Sequence, residues 1–207
     1  MKATQILFLF CAAVLHGQYA GWSSFYSFDQ ITAVHYGDNG QIYGVAQNSL
    51  FSYDPTANEV VPITTVNGLL GDEIDALQVT DDFIIVGYSN GILGIHTLMD
   101  GTVILDNSIQ RNLSIETKDK TIHSFLVDDQ TLYLSAGYGI SMYDLSTNRF
   151  IDSYFFGTNN SAIQVNQTTL AGEFLYAATE EGLYKANSSD PNLVLESAWN
   201  KIADGQW

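Results

Sequence analysis

Cysteine is nearly missing from this sequence: 207 residues contain one, Cys11. A disulfide framework and a cysteine-ligated zinc site are excluded at once. Basic residues are scarce too. Seven Lys and Arg stand against 23 Asp and Glu, a formal charge of −16. Nucleic acid is excluded as a partner, because counterion release needs clusters of Lys and Arg. A polybasic dock on anionic lipid fails for the same reason. No stretch sustains a capped helical period over ten residues. No apolar run reaches transmembrane length. What remains is apolar and aromatic: 46% hydrophobic residues, with 12 Tyr and 11 Phe. That share supports a packed core and argues against global disorder.

The first twenty residues read as a signal peptide. Lys2 supplies one positive charge, and Ile6 to Leu15 form an unbroken apolar run. Such a run suits a secretory leader and is too short to span a bilayer. Cleavage is expected after Gly17 or Ala20. A lipidated Cys11 is disfavoured by the bulky Phe10 before it. Removal of the leader takes Lys2 and Cys11, leaving six basic residues and a charge of −17. An exported, thiol-free chain is expected, at the cell surface or outer membrane, with the periplasm as the alternative.

The rest, residues 21–207, reads as an internal repeat. Four strand-forming segments recur in fixed order. Openers are Ile31–Val34, Ile74–Leu77, Ile122–Phe125 and, less clearly, Ile163–Val165. Second strands start at Ile42, Ile84, Leu132 and Leu175, spaced by 42, 48 and 43 residues. Third strands are Leu50–Tyr53, Ile92–Ile95, Ile140–Tyr143 and Leu183–Ala186; fourth are Val60–Ile63, Thr102–Leu105, Phe150–Ser153 and Leu193–Glu196. Four short strands per period of roughly 40–50 residues mark a β-propeller blade. The expected fold is all-β: four consecutive four-stranded blades of an incomplete or larger ring. Gly91, Gly139 and Gly182 stand where two-residue hairpins need positive φ. Trp22–Phe28 reads as one more strand, available to the last blade of the ring. The chain is read as the N-terminal part of a longer protein.

Catalytic signatures are missing. There is no G-x-S-x-G, H-E-x-x-H, P-loop or G-x-G-x-x-G. His35, His96 and His123 lack ligand spacing and read as strand or surface residues. The pairs Asp81/Asp82 and Asp128/Asp129 have the oxygen chemistry for Ca²⁺ or an acid–base couple. Neighbours in a turn point apart, so they read as turn chemistry, and no cofactor is expected. The densest positive charge is Arg111, Lys118 and Lys120, in the long link between blades two and three. Glu116 and Asp119 dilute it, so a solvated loop competes with a ligand site.

The opening Trp22-Ser23-Ser24-Phe25, then Leu50-Phe51-Ser52-Tyr53-Asp54, Val66-Asn67-Gly68-Leu69 and Gly137-Tyr138-Gly139-Ile140, resemble the PorZ family of Bacteroidetes. The resemblance implies a non-enzymatic cell-surface component of the type IX secretion system. It implies two partners: the sortase PorU, and an anionic lipopolysaccharide presented to it. It carries over no ligand residue. Asn67-Gly68-Leu69 followed by Gly91-Ile92-Leu93 is also similar to sensor propellers of two-component regulators, the competing reading. A propeller-type glycan-processing enzyme is the third.

Overall fold

The first strand of each unit begins with Ile or Val, and each second strand is β-branched or aromatic at nearly every other position. Such residues fit a pleated, half-buried surface, and they form strands at the expected places. The computed structural model describes residues 30–46, 48–115 and 119–204. The signal segment, the Trp22–Phe28 segment and Lys118 lie outside the described residues.

Blade one comprises β1 (Ile31–Tyr36), β2 (Ile42–Ala46), β3 (Ser49–Asp54) and β4 (Glu59–Ile63). Blade two comprises β5 (Ile74–Val79), β6 (Phe83–Tyr88), β7 (Leu93–Thr97) and β8 (Val103–Asp106). A single helical turn, α1 (Ser108–Arg111), begins the link to blade three. Blade three comprises β9 (Ile122–Asp128), β10 (Thr131–Ala136), β11 (Gly139–Asp144) and β12 (Arg149–Tyr154). Blade four comprises β13 (Val165–Ala171), β14 (Phe174–Thr179), β15 (Gly182–Asn187) and β16 (Asn200–Asp204). Each blade is an antiparallel meander with its strands in chain order.

The first strands lie side by side, β1 by β5, β5 by β9 and β9 by β13, so they are innermost. Three apolar cores fill the gaps between successive blades. Val45 and Leu50 meet Ile84 and Val86 between blades one and two. Ile85 and Ile95 meet Ile122, Leu132 and Leu134 between two and three. Tyr154 and Phe156 meet Leu175 and Trp199 between three and four. Gly87 lets blade three come close, because a Cβ there would lie 2.7 Å from Ile122. Among the described residues most aromatic side chains belong to these cores: Tyr88, Tyr138, Tyr143 and Phe156 are fully buried.

Two backbone latches repeat with the blades. Ser89, Gly137 and Glu180 donate their N–H to the carbonyls of Glu73, Thr121 and Gln164, tying each second hairpin to the chain that enters the blade. On the opposite face Leu98, Leu145 and Ser188 donate to Asp82, Gln130 and Glu173. That second set joins the third-to-fourth loop to the first-to-second turn, so both loop classes share one face. Gly91, Gly139 and Gly182 have φ of 81°, 148° and 136°, as the hairpin reading requires.

Blade four departs from the expectation at both ends. Its opener runs over Val165–Ala171 rather than Ile163–Val165. Its outer strand is Asn200–Asp204, and the Leu193–Glu196 segment is turn and 3-10 helix. The cause is Trp199. Its ring stacks on Phe156 at 4.0 Å, and its Nε1–H donates to the Leu193 carbonyl at 2.9 Å. Leu193 is buried beneath it as a core plug. The strand begins only after that anchor is seated.

Candidate functional site

Two features put polar side chains together, both at the face that carries the inter-blade links. The first lies on the inner strands. Each has a β-bulge near its start, between Ile31 and Ala33, Ile74 and Ala76, Ile122 and Ser124, and Val165 and Gln167. The extra residues are Thr32, Asp75, His123 and Asn166, polar in every blade. Bulges re-aim side chains and are enriched beside binding sites. Burial, then the charge of Glu73, raises the proton affinity of Asp75, while the nearby His123 lowers it and Asp119 raises it again. His123 of blade three therefore lies close enough to Asp75 of blade two to act on its carboxyl. His123 stands in β9, as the strand reading expects; aligning the repeats and searching one place after each opener singles it out.

The second feature is the link between blades two and three. Ile109 and Ile115 are buried and pin it to the core. Lys120 pins it again, its Nζ donating to the carbonyls of Gln110 at 3.0 Å and Asn112 at 2.7 Å. Those are end carbonyls of α1 and its cap, where a cation is favoured. Held this way, the link presents Arg111, Asn112, Leu113 and Ser114 to solvent. Arg111 sits with Asn107, Ser108 and Asn112 around an open hollow of about 350 Å³. Ser114 joins Phe155, Asn159 and Asn160 around a second hollow of about 280 Å³. Asn159 and Asn160 both hold left-handed backbone, with φ of 60° and 56°. Glu196 fixes them: it accepts from the Asn159 N–H at 2.8 Å, and its own N–H donates to Asn160 Oδ1.

Arg111 is exposed on the hollow, Lys120 has its head turned to backbone carbonyls, and Lys118 lies outside the described residues. Sequence reasoning missed Asn107, Asn112, Ser114, Phe155, Asn159 and Asn160. Neutral amides and hydroxyls beside one aromatic ring and one guanidinium suit a polyhydroxylated ligand with an anionic group.

The opposite face is acidic and made of turns. Asp54 Oδ1 accepts from the N–H groups of Thr56 and Ala57, and Asp144 Oδ1 from those of Ser146 and Thr147. Bonds from Ser146 and Thr147 hold the Asp144 carboxyl down at about 2. Asp81 meets Asp38 of blade one, and that bond with its charge raises the Asp81 carboxyl. Among the described residues no group of three or more His, Cys, Asp or Glu is placed to hold a metal ion. No helix among them is long and apolar enough to cross a membrane.

Comparison with known proteins places this geometry. The family model for the type IX secretion (TSS9) PorZ N-terminal β-propeller domain matches residues 42–200. PorZ of Porphyromonas gingivalis, an essential bacterial surface component of the type-IX secretion system, superposes with a TM-score of 0.67 at 21% identity. That match covers 84% of this chain and 23% of PorZ. The extracellular domain assigned to a hybrid two component system of B. thetaiotaomicron gives 0.64 at 19%, covering 86% of this chain and 22% of that one. The computationally designed Ika4 protein gives 0.58 at 13%, over 79% of this chain and 94% of its own. At these identities the structural likeness carries the fold alone. No curated relative matches the sequence.

Proposed function

We propose a non-enzymatic presenting role for this chain, which belongs to the family of PorZ N-terminal β-propeller domains. The chain spans about a quarter of the solved PorZ chain, so the role is that of the protein containing it. In this reading the protein is exported through its leader, residues 1–20. At the cell surface it is a scaffold that binds a sortase-like partner and holds an anionic lipopolysaccharide for it. The observation that carries the reading is the family match over residues 42–200. The polar segment around Arg111, anchored by Ile109, Ile115 and Lys120, supports it, since it supplies a local site on a chain whose overall charge repels anions. Arg111 is the ligand-contacting member of the proposed trio and Lys120 the residue that positions the loop; Lys118, the third member, lies outside the described residues.

The test is lipopolysaccharide binding by the full protein across a salt series. Arg111→Ser should weaken binding and flatten its salt dependence, because one charge contact is lost. Lys120→Ser should weaken binding with the salt slope less changed, because the loop is released. Undiminished affinity in both variants removes this link from the account.

A second reading, a sensor propeller of a two-component system, is favoured by one observation: the extracellular domain from B. thetaiotaomicron superposes nearly as well as PorZ. The complete reading frame distinguishes them. A second propeller with a terminal β-domain supports secretion; a transmembrane helix with kinase domains supports sensing.

A further inference from the structure

The link from blade three to blade four carries a tight turn. Gly157 and Ser161 form an antiparallel bridge, their backbones exchanging bonds at 3.0 and 3.2 Å, and the Ser161 N–H also donates to the Thr158 carbonyl. Between them Asn159 and Asn160 are both left-handed, a backbone that glycine adopts at lower cost. Asn160 has a structural reason to stand there, since its Oδ1 accepts from the Glu196 N–H. Asn159 has none. Its backbone N–H is held by Glu196, but its side-chain amide has no hydrogen-bond partner among the described residues. Backbone strain kept without a structural return points to function.

Asn159 is exposed and lines the hollow of about 280 Å³, together with Ser114 of the link between blades two and three. The Ser114 hydroxyl is exposed too and has no partner among the described residues. Phe155 and Ala162 supply the apolar lining; Phe155 is half-buried, its ring 5.8 Å from that of Tyr138. Apolar surface beside amide and hydroxyl groups suits a sugar ring, which has C–H faces and a belt of hydroxyls that both donate and accept. The volume lies just below the range of about 300–1,000 Å³ that holds drug-sized ligands, so one ring fits rather than a chain. Charge narrows the class. No charged side chain lines the hollow, and the one bonded to its turn is the Glu196 carboxylate. An anionic sugar is repelled there, so the occupant is uncharged. The Arg111 hollow adjoins it: Asn112 lines that hollow, and its Oδ1 accepts from the Ser114 N–H at 2.8 Å.

We propose that this hollow is a subsite for one uncharged sugar unit, read by the Asn159 amide and the Ser114 hydroxyl, with Glu196 as the positioning residue of the turn. It rests on the glycan-binding reading and deepens it: the anionic group of the ligand goes to Arg111, and the neighbouring neutral sugar to Asn159.

The experiment titrates the full protein calorimetrically with the methyl glycosides of glucose, galactose and mannose. Saturable binding of at least one is expected, unchanged across a salt series because the probe is uncharged. Asn159→Gly relieves the backbone and should weaken that binding about fivefold, the ratio one net hydrogen bond supplies, without lowering the melting temperature. Glu196→Ala should weaken it as well, and Glu196→Gln should restore it, because the amide oxygen still accepts from the Asn159 N–H. No saturable binding of any glycoside, an affinity that Asn159→Gly leaves unchanged, or a loss of stability in that variant would overturn the proposal. Glu196→Gln as weak as Glu196→Ala would overturn the positioning role. Lipopolysaccharide binding separates the two readings. A protein that binds it but none of the glycosides overturns the subsite by itself. One that binds a glycoside through Asn159 but no lipopolysaccharide overturns the presenting role and supports the subsite.

Discussion

At the scale of single residues, the repeat is enforced by backbone positions that tolerate little. Gly139 combines φ of 148° with a site where a Cβ would lie 2.1 Å from the Tyr154 carbonyl oxygen. Gly101 has φ of 71° and nothing within 4 Å. Gly139→Ala should therefore cost about 3 kcal/mol or more, because the backbone of β12 must move. Gly101→Ala should cost about 1 kcal/mol, the left-handed penalty by itself. Urea midpoints of the two variants check the ratio; equal losses would mean that close packing at the third hairpin contributes nothing. Asp144 gives a second residue-scale test. Its folded carboxyl is held at about 2 by Ser146 and Thr147. A depressed carboxyl stabilises the fold above its unfolded value, and that contribution fades as pH falls from near 4 towards 2. Asp144→Asn should remove this part of the acid sensitivity, seen as a flatter melting-temperature profile over that interval.

At the scale of elements, three of the four blades were legible in the sequence, and the reason is local. Alternating Ile, Val, Leu and Tyr between turn residues place β5 to β8 and β9 to β12 to within one to three residues at each end. Blade four was legible only in its two middle strands. Its opener is Val165-Asn166-Gln167-Thr168-Thr169, which carries almost no apolar period. Its buried Thr168 belongs there because it accepts from Ser135 of blade three at 3.2 Å, a contact 33 positions away in sequence. Leu193–Leu195 looked like a strand because it is apolar, yet it is the seat of Trp199. The polar hollows were unreadable for a related reason. Turn-forming Asn and Ser look alike in sequence whether they face solvent or converge on one site. Two outcomes belong to this scale. Trp199→Ala should cost about 3–5 kcal/mol and free β16, with hydrogen exchange in Asn200–Asp204 rising before the rest of the sheet. A uniform rise would show that β16 does not depend on that anchor. The buried tyrosines give the other. Desolvation raises Tyr143 and Tyr154 to about 12. The folded state holds those protons more tightly than the unfolded chain, so stability is full below about pH 10 and falls as pH rises towards 12. A melting temperature unchanged across that window would contradict their burial.

At the scale of the molecule, turn carboxylates crowd one face of the blades, while the link face mixes Arg111, neutral amides and His123 with the acids Glu73, Asp75, Asp119 and Glu196. The inner strand of blade one leaves Ile31, Val34 and Tyr36 more than half exposed, at 53%, 64% and 68%. This chain expressed by itself should self-associate through that strand, since a broad apolar sheet face is a pairing hazard. Val34→Lys with Tyr36→Lys should shift its size-exclusion profile towards monomer. A sharp monomer peak for the unaltered chain would show the face to be covered.

The central claim is presentation without turnover. Its most direct measurement mixes the full protein carrying this domain with the proposed sortase partner and anionic lipopolysaccharide, then follows co-elution and the mass of each component over time. The account predicts a stable assembly in which the protein by itself leaves the glycan and the sortase chemically unchanged. Glycan or peptide cleavage by the protein without the sortase, or failure to associate with either partner, would contradict it.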